Sequence, residues 1–258
     1  MKIIFRYLKY ILTSKSYSSI QGPFIFNLMK NVIFKKERND DFLIIEKLRK
    51  RLHLDSTQIK VSDFGAGSKI NQSKTRKIKD IAKNSAKNKK FGRLLYRLTK
   101  YYKPDNILEL GTSLAISTAY LAKGNPNGKI LSLEGCENTA KIASENLKKL
   151  KIKNVELIVG EFEKTLDGIM AKIKKVDLVF VDGNHQKKPT LIYFEKILNY
   201  TNNNTILIFD DIHWSHEMEE AWQIIQDHSA ITTSIDLFFI GIAFVNPDLS
   251  KEKFKIRF

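Results

Sequence analysis

The sequence predicts a doubly wound α/β fold preceded by a basic, mainly helical N-terminal extension. From residue 104 to residue 245, short apolar runs alternate with stretches of helical periodicity. Strands alternating with helices imply a parallel sheet with right-handed crossovers. Before Pro104 the apolar residues recur at helical spacing among many lysines and arginines, with no strand-like alternation. The last two apolar runs are separated by almost nothing, which predicts an antiparallel hairpin closing the sheet.

Taken in order, Ile4, Leu8, Ile11 and Leu12 mark a first basic helix. A second stretch, 24–34, follows the Gly22-Pro23 breaker, and 42–54 is a third. A polar loop at 61–74 carries Gly65 and Gly67 and reads as a linker or as a lid. Residues 76–102 are expected to be helical up to Pro104. Strands are predicted at 106–110, 129–133, 155–159, 176–181 and 205–209. The helices between and after them fall at 116–123, 137–150, 162–172, 189–200 and 215–228. The hairpin comprises 232–237 and 239–245, making seven strands in all. The expected division is an extension over 1–75 and a main domain over 76–258, with its core at 104–245.

Of the 258 residues 43% are hydrophobic, ample for a buried core. The single cysteine, Cys136, excludes an internal disulfide framework and points to a reducing, cytoplasmic setting. Arg6 and Lys9 interrupt the first apolar segment, so it does not read as a secretory signal. No run approaches the ~20 apolar residues that cross a bilayer. Residues 1–104 hold 26 Lys/Arg against 7 Asp/Glu, whereas 105–258 hold 18 against 21. That asymmetry suits an anionic contact of the first part, either nucleic acid, a lipid surface or a charged substrate. A Lys-rich composition throughout the chain would produce the same count.

In a doubly wound sheet ligands bind beyond the carboxyl ends of the strands. After the first strand come Gly111, Thr112 and Ser113, then a helix whose first turn carries Ser117. A glycine lets backbone approach a ligand, and a helix N-terminus favours an anion. Glu134, after the second strand and 25 positions beyond Glu109, is placed to bind both hydroxyls of a ribose. Gly160-Glu161-Phe162 follow the third strand, Asp182-Gly183-Asn184-His185 the fourth, and Asp210-Asp211-Ile212-His213-Trp214 the fifth. The dinucleotide fingerprint G-x-G-x-x-G would require glycines where Ser113 and Ile116 stand, which argues against a pyrophosphate. A nucleoside bearing an amino-acid tail suits Glu109, Gly111 and Glu134 better.

With ILELGTSLAISTAYLA and SLEGCE in place, residues 104–245 resemble the class I S-adenosylmethionine-dependent methyltransferases, in particular their catechol O-methyltransferase-like branch. The resemblance implies a Rossmann-like seven-stranded sheet of five parallel βα units and a hairpin. It implies that Gly111, Thr112, Ser113 and Ser117 surround the methionine part of S-adenosyl-L-methionine, with Glu109 also among the cofactor-binding residues. Glu134 would bind the ribose, and Gly160, Glu161 and Phe162 would lie by the adenine. Ala115 departs from the family's usual glycine. The branch's metal-dependent members place acids where Asp182, Asp210 and Asp211 stand, which implies Mg2+ or another divalent cation; a simpler role for these aspartates is capping the next helices. His185 occupies the position of the branch's lysine base, three residues past Asp182, and an imidazole can take a proton from a hydroxyl near neutral pH. His213 and Trp214 are expected at the substrate mouth. The expected reaction is O-methylation of a small-molecule or glycan hydroxyl, on an acceptor that is itself a candidate anion. Two readings compete: an RNA methyltransferase using the basic extension, and a non-catalytic binding protein retaining the fold. Nucleic acid is the weaker partner expectation, because no aromatic-basic stacking platform is visible. Peripheral membrane contact and a homodimer stay open.

Overall fold

The computed structural model describes residues 3–16, 22–62, 75–85 and 88–258. Its elements begin with α1 (Ile3–Thr13), α2 (Pro23–Leu28), which runs into a π-helical turn at Met29–Ile33, and α3 (Asp40–Leu54). The short strands β1 (Gln58–Lys60) and β2 (Thr75–Lys77) precede α4 (Ile78–Ser85) and α5 (Lys89–Tyr102). The alternating region holds β3 (Asn106–Leu110), α6 (Ile116–Gly124), β4 (Lys129–Glu134), α7 (Glu137–Lys149), β5 (Val155–Val159) and α8 (Phe162–Ile173). It continues through β6 (Val176–Val181), α9 (Lys187–Leu198), β7 (Thr201–Asp210) and α10 (His216–Asp227), ending with β8 (Thr233–Asp236), β9 (Ile240–Phe244) and β10 (Glu252–Lys255). Among the described residues the main sheet is mostly parallel and has eight strands, one more than expected.

Packing groups the chain into two compact units, Lys36–Thr165 and Met1–Lys35 with Leu166–Phe258. The region expected as one extension over 1–75 is thus shared between them. The Gly65/Gly67 loop falls outside the described residues, apart from its first two positions.

In the unit Lys36–Thr165, β3, β4 and β5 pair in parallel, with Leu110 opposite Leu133 and Glu134 opposite Val159. Ile107, Leu108, Leu110, Ile130 and Leu133 are buried, as strands covered on both faces require. Local chemistry sets the helix ends. The Asn39 side chain accepts from the Asp41 amide at the start of α3, and Asn88 does the same for Lys90 and Phe91 at the start of α5. Lys103 turns left-handed (φ 48°) to end α5 before Pro104. The expectation of helix from 76 fails at its start, because Arg76 lies in β2, antiparallel to β1. Both strands are polar and three residues long, too short for an alternation to show.

In the other unit β6 and β7 are parallel, β7 and β8 each pair antiparallel with β9, and β10 runs parallel beside β8. The hairpin is therefore present with one further edge strand. Residue 15 adds to that edge: its amide donates to the Lys255 carbonyl (2.8 Å), and the Arg257 amide donates to its carbonyl (3.1 Å). Phe180, Phe194 and Phe209 are wholly buried, and Phe194 meets Phe209 edge-on at 6.1 Å. Among the described residues no helix is long and apolar enough to cross a membrane.

Candidate functional site

Two sets of strand-end residues carry the chemistry, one in each unit. In the unit Lys36–Thr165, the loop after β3 is bent by left-handed backbone at Gly111 (φ 106°), Ser113 (φ 49°) and Ala115 (φ 62°). Glycine takes such angles freely, whereas serine and alanine do so at a cost of about 1–2 kcal/mol each. Strain of this kind persists where surrounding structure enforces it, and the enforcement is visible. The amides of Gly111 and Thr112 both donate to the Leu133 carbonyl, and the Ser113 amide donates to Glu134 Oε2 at 2.8 Å. The loop's first amides are therefore committed within the unit, and the platform is rigid before any ligand arrives. The Asn146 side chain holds the Leu114 carbonyl at 3.1 Å, and the Ala115 methyl is buried with Ala143 and Leu147.

The sequence-predicted cofactor residues separate into two layers. Glu109, Thr112 and Ser117 are buried. Glu109 Oε2 accepts from the Thr118 and Ser132 hydroxyls, both at 2.6 Å, and Thr112 Oγ1 lies 2.6 Å from Ser132 Oγ. This network ties β3, β4 and the start of α6 into one frame. Gly111, Ser113, Glu134, Gly160, Glu161 and Phe162 are part-exposed at the ends of β3, β4 and β5. Glu134 Oε1 accepts from the Cys136 amide at 2.9 Å and Oε2 from the Ser113 amide, and the Gly135 amide also hydrogen bonds to the carboxylate. A carboxylate offers about four acceptor positions, which leaves room for a further hydroxyl donor. Burial pushes the Glu134 carboxyl up, against the amide hydrogen bonds that pull it down. At Gly160 a side chain would collide with Thr165 Cγ2 at 2.5 Å, so the backbone there must stay bare. Glu161 faces outward and pairs with Lys164 at 2.9 Å.

In the second unit, Asp182 just after β6 and Asp210 at the end of β7 converge with His185, their ligand atoms all lying within 4.8 Å of one another. His185 Nε2 is 3.8 Å from Asp182 Oδ1. Asp210 is buried, while Asp182 and His185 remain part-exposed. Left-handed backbone clusters here too, at Asn184 (φ 70°), His185 (φ 34°) and Asp211 (φ 54°). Asn184 is steadied by its amide donating to the Tyr193 hydroxyl at 3.1 Å. Helix capping does not account for the aspartates. Ser215 caps α10 by accepting from the Met218 amide, and the start of α9 at Gln186 has no side-chain cap. The donor set fits a divalent cation: two carboxylates and an imidazole can each turn one atom to a common point. One expectation shifts, because Asp211 stands outside this group and His185 stands inside it.

His213 also departs from expectation. Its side chain is only 14% exposed, with Nδ1 2.9 Å from Glu219 Oε1 and Nε2 2.8 Å from Asp236 Oδ2. Burial disfavours the charged ring, but hydrogen bonding to and charge on Asp236, then Glu219, outweigh it and hold the pKa above the ordinary value. Each ring nitrogen lies within hydrogen-bond distance of a carboxylate, which leaves neither for an acceptor; His213 is a clasp joining α10 to β8. Partners six and 23 positions away are beyond what sequence spacing shows. Trp214 is half-exposed. A groove of about 750 Å³ between α9 and α10, containing Leu191 and Ile192, is lined by none of these site residues.

With this geometry in view, the relatives are informative. Residues 108–212 match the family model described as a methyltransferase domain. The chain is similar to a catechol O-methyltransferase of Niastella koreensis, 28% identical over 127 residues, 47% of this chain. The match spans about half of that relative, 55% of its length. Among solved structures, a Podospora anserina methyltransferase, PaMTH1, bound to S-adenosylhomocysteine superposes with a TM-score of 0.60 at 16% identity, covering 88% of this chain and 99% of its own. The O-methyltransferase TomG of Streptomyces achromogenes, in complex with S-adenosylmethionine, gives 0.58 at 18% identity over 86% and 95% of the two chains. These likenesses establish the fold: a mostly parallel, Rossmann-like sheet.

Proposed function

We propose that the chain is an S-adenosylmethionine-dependent O-methyltransferase acting on a hydroxyl of a small molecule or glycan, with a divalent cation held by Asp182, His185 and Asp210. The convergence of those three side chains at the ends of β6 and β7 carries the reading. In this scheme a ribose hydroxyl takes the remaining acceptor capacity of Glu134, Gly160 gives the adenine a backbone edge, and the frame of Glu109, Thr118 and Ser132 fixes the loop under the methionine part. Methyl transfer is an in-line displacement, so positioning donor and acceptor supplies most of the rate. A bound divalent cation would orient the acceptor oxygen and lower its pKa. Asp182 and Asp210 contribute the negative charge that holds it, and the strained turn at Asn184 and His185 presents the imidazole. An imidazole beside two carboxylates suits Mn2+ or another transition metal better than Mg2+, which prefers an all-oxygen shell.

The test is isothermal calorimetry of the intact chain with S-adenosylhomocysteine and, separately, with Mn2+ and Mg2+. Binding of S-adenosylhomocysteine, and tighter binding of Mn2+ that falls at least tenfold in Asp210→Ala, is the expected pattern. If S-adenosylhomocysteine does not bind, the methyltransferase reading fails. If it binds and Asp210→Ala leaves Mn2+ affinity unchanged, only the metal assignment fails.

A further inference from the structure

The first helix is mounted with its apolar side outward. The buried positions of α1 are Arg6 and Tyr10. Arg6 pairs with Glu219 at 3.1 Å and donates to the Trp214 carbonyl, while the Tyr10 hydroxyl donates to the carbonyls of Asp236 and Ile256. Tyr10 also packs against Phe238, ring centroids 5.2 Å apart. The helix is therefore anchored through polar partners. On its far side Ile4 (63% exposed), Phe5 (60%), Leu8 (53%) and Leu12 (86%) form a stripe at helical spacing open to solvent. Beside the helix stands Trp214, whose backbone Arg6 holds and whose ring is half-exposed. An apolar stripe this continuous on an exposed helix marks an interaction surface.

Charge decides the occupant. Residues 1–36 contain seven Lys/Arg and no Asp/Glu. Lys9 is exposed on the flank of the stripe, and Lys15 and Arg257 are exposed at the helix's C-terminal end, where Arg257 donates to the Ile11 carbonyl at 2.8 Å. A second copy of the chain would bring the same positive rim against this one, at a repulsive cost. An anionic bilayer supplies both an apolar layer for the stripe and negative headgroups for the rim.

We propose that α1 docks the protein in the plane of an anionic lipid surface, with Ile4, Phe5, Leu8 and Leu12 entering the headgroup boundary and Lys9, Lys15 and Arg257 facing lipid phosphates. The helix, of 11 residues, lies on the bilayer and does not span it. The test is flotation of the full chain with vesicles of phosphatidylcholine alone and of phosphatidylcholine mixed with phosphatidylglycerol, with sedimentation velocity in parallel. Expected are flotation with the mixed vesicles, weakening as salt rises, and a blue shift of the Trp214 emission. The double variant Leu8→Ser with Leu12→Ser should lose at least tenfold in partitioning while keeping its far-UV circular dichroism, and Lys9→Glu should lose severalfold. These positions are exposed, so the variants keep the fold's buried contacts. Failure to float with anionic vesicles overturns the proposal, as does unchanged flotation of the double variant. A dimer in solution that the double variant converts to monomer, without vesicle binding, would assign the stripe to a second copy and equally overturn it.

Discussion

Replacing His213 by alanine removes the clasp between α10 and β8, and its cost follows from the geometry. The imidazole sits 2.8 Å from Asp236, whose side chain is 6% exposed, and stacks on Phe238 at 5.0 Å with an 11° interplanar angle. Glu219 keeps Arg6 as a partner, so the damage concentrates on Asp236. Removing one member of a buried ion pair costs about 3–5 kcal/mol. Asp236 also accepts from the Phe238 amide at 2.8 Å, which softens the loss, so a figure of roughly 3 kcal/mol is expected. In a chain of this size that lowers Tm by about 6–12 °C. The pH dependence has a definite sign. A folded pKa raised above the unfolded value of about 6.5 gives stability that is fully present below that value and lost as pH rises through the folded one. Urea unfolding followed by far-UV circular dichroism at pH 6 and pH 9 reads both effects. The parent protein should lose stability toward pH 9, and the gap to His213→Ala should narrow. An equal gap at the two pH values would show that His213 is not held charged, and the clasp argument would fall.

Other consequences can be checked with the same methods. Glu134→Ala should weaken S-adenosylhomocysteine binding at least tenfold by calorimetry, yet change folding stability by only about 1 kcal/mol. Burial raises this carboxyl's pKa, so the group's contribution to stability is present below its unfolded pKa and lost as pH rises through the folded one. Ala115→Gly should be nearly neutral in thermal unfolding, because relief of about 1–2 kcal/mol of left-handed strain is offset by about 0.8 kcal/mol of lost methyl burial and a freer unfolded chain. Ala115→Val, with a branched Cβ in that closed left-handed position, should cost more than about 3 kcal/mol. Gly241→Ala would set a methyl 2.7–2.8 Å from the Trp222 ring and should lower stability by about 1–3 kcal/mol without altering S-adenosylhomocysteine affinity.

What could be read along the chain, and what could not, divides by the range of the interaction. Strand ends are legible because burial on both faces makes β3, β4 and β6 mainly apolar runs, and the residue at the end of each run is placed by the sheet itself. The same pattern puts Glu134, Asp182 and Asp210 at strand ends. β10 was not legible: EKFK is largely exposed and charged at the sheet edge, and its pairing with Thr233–Asp236 is set by a partner strand. The first four residues of β7, TNNN, read as loop, yet they stay in the strand because the Thr205 hydroxyl donates to the Val176 carbonyl and the Asn202 side chain donates to Asp177. The separation of Asp211 from the group of Asp182, His185 and Asp210 has the same origin. Neighbouring residues in a loop diverge once the backbone turns left-handed, and sequence adjacency to Asp210 says nothing about where the next carboxylate goes. For α1 the periodicity revealed two faces and left open which one the protein would keep. Arg6 and Tyr10 decide that question through Glu219, Asp236 and Ile256, more than 200 residues away. With the polar face spent on folding, the apolar face is left for a partner, and the positive rim around it selects a negatively charged one.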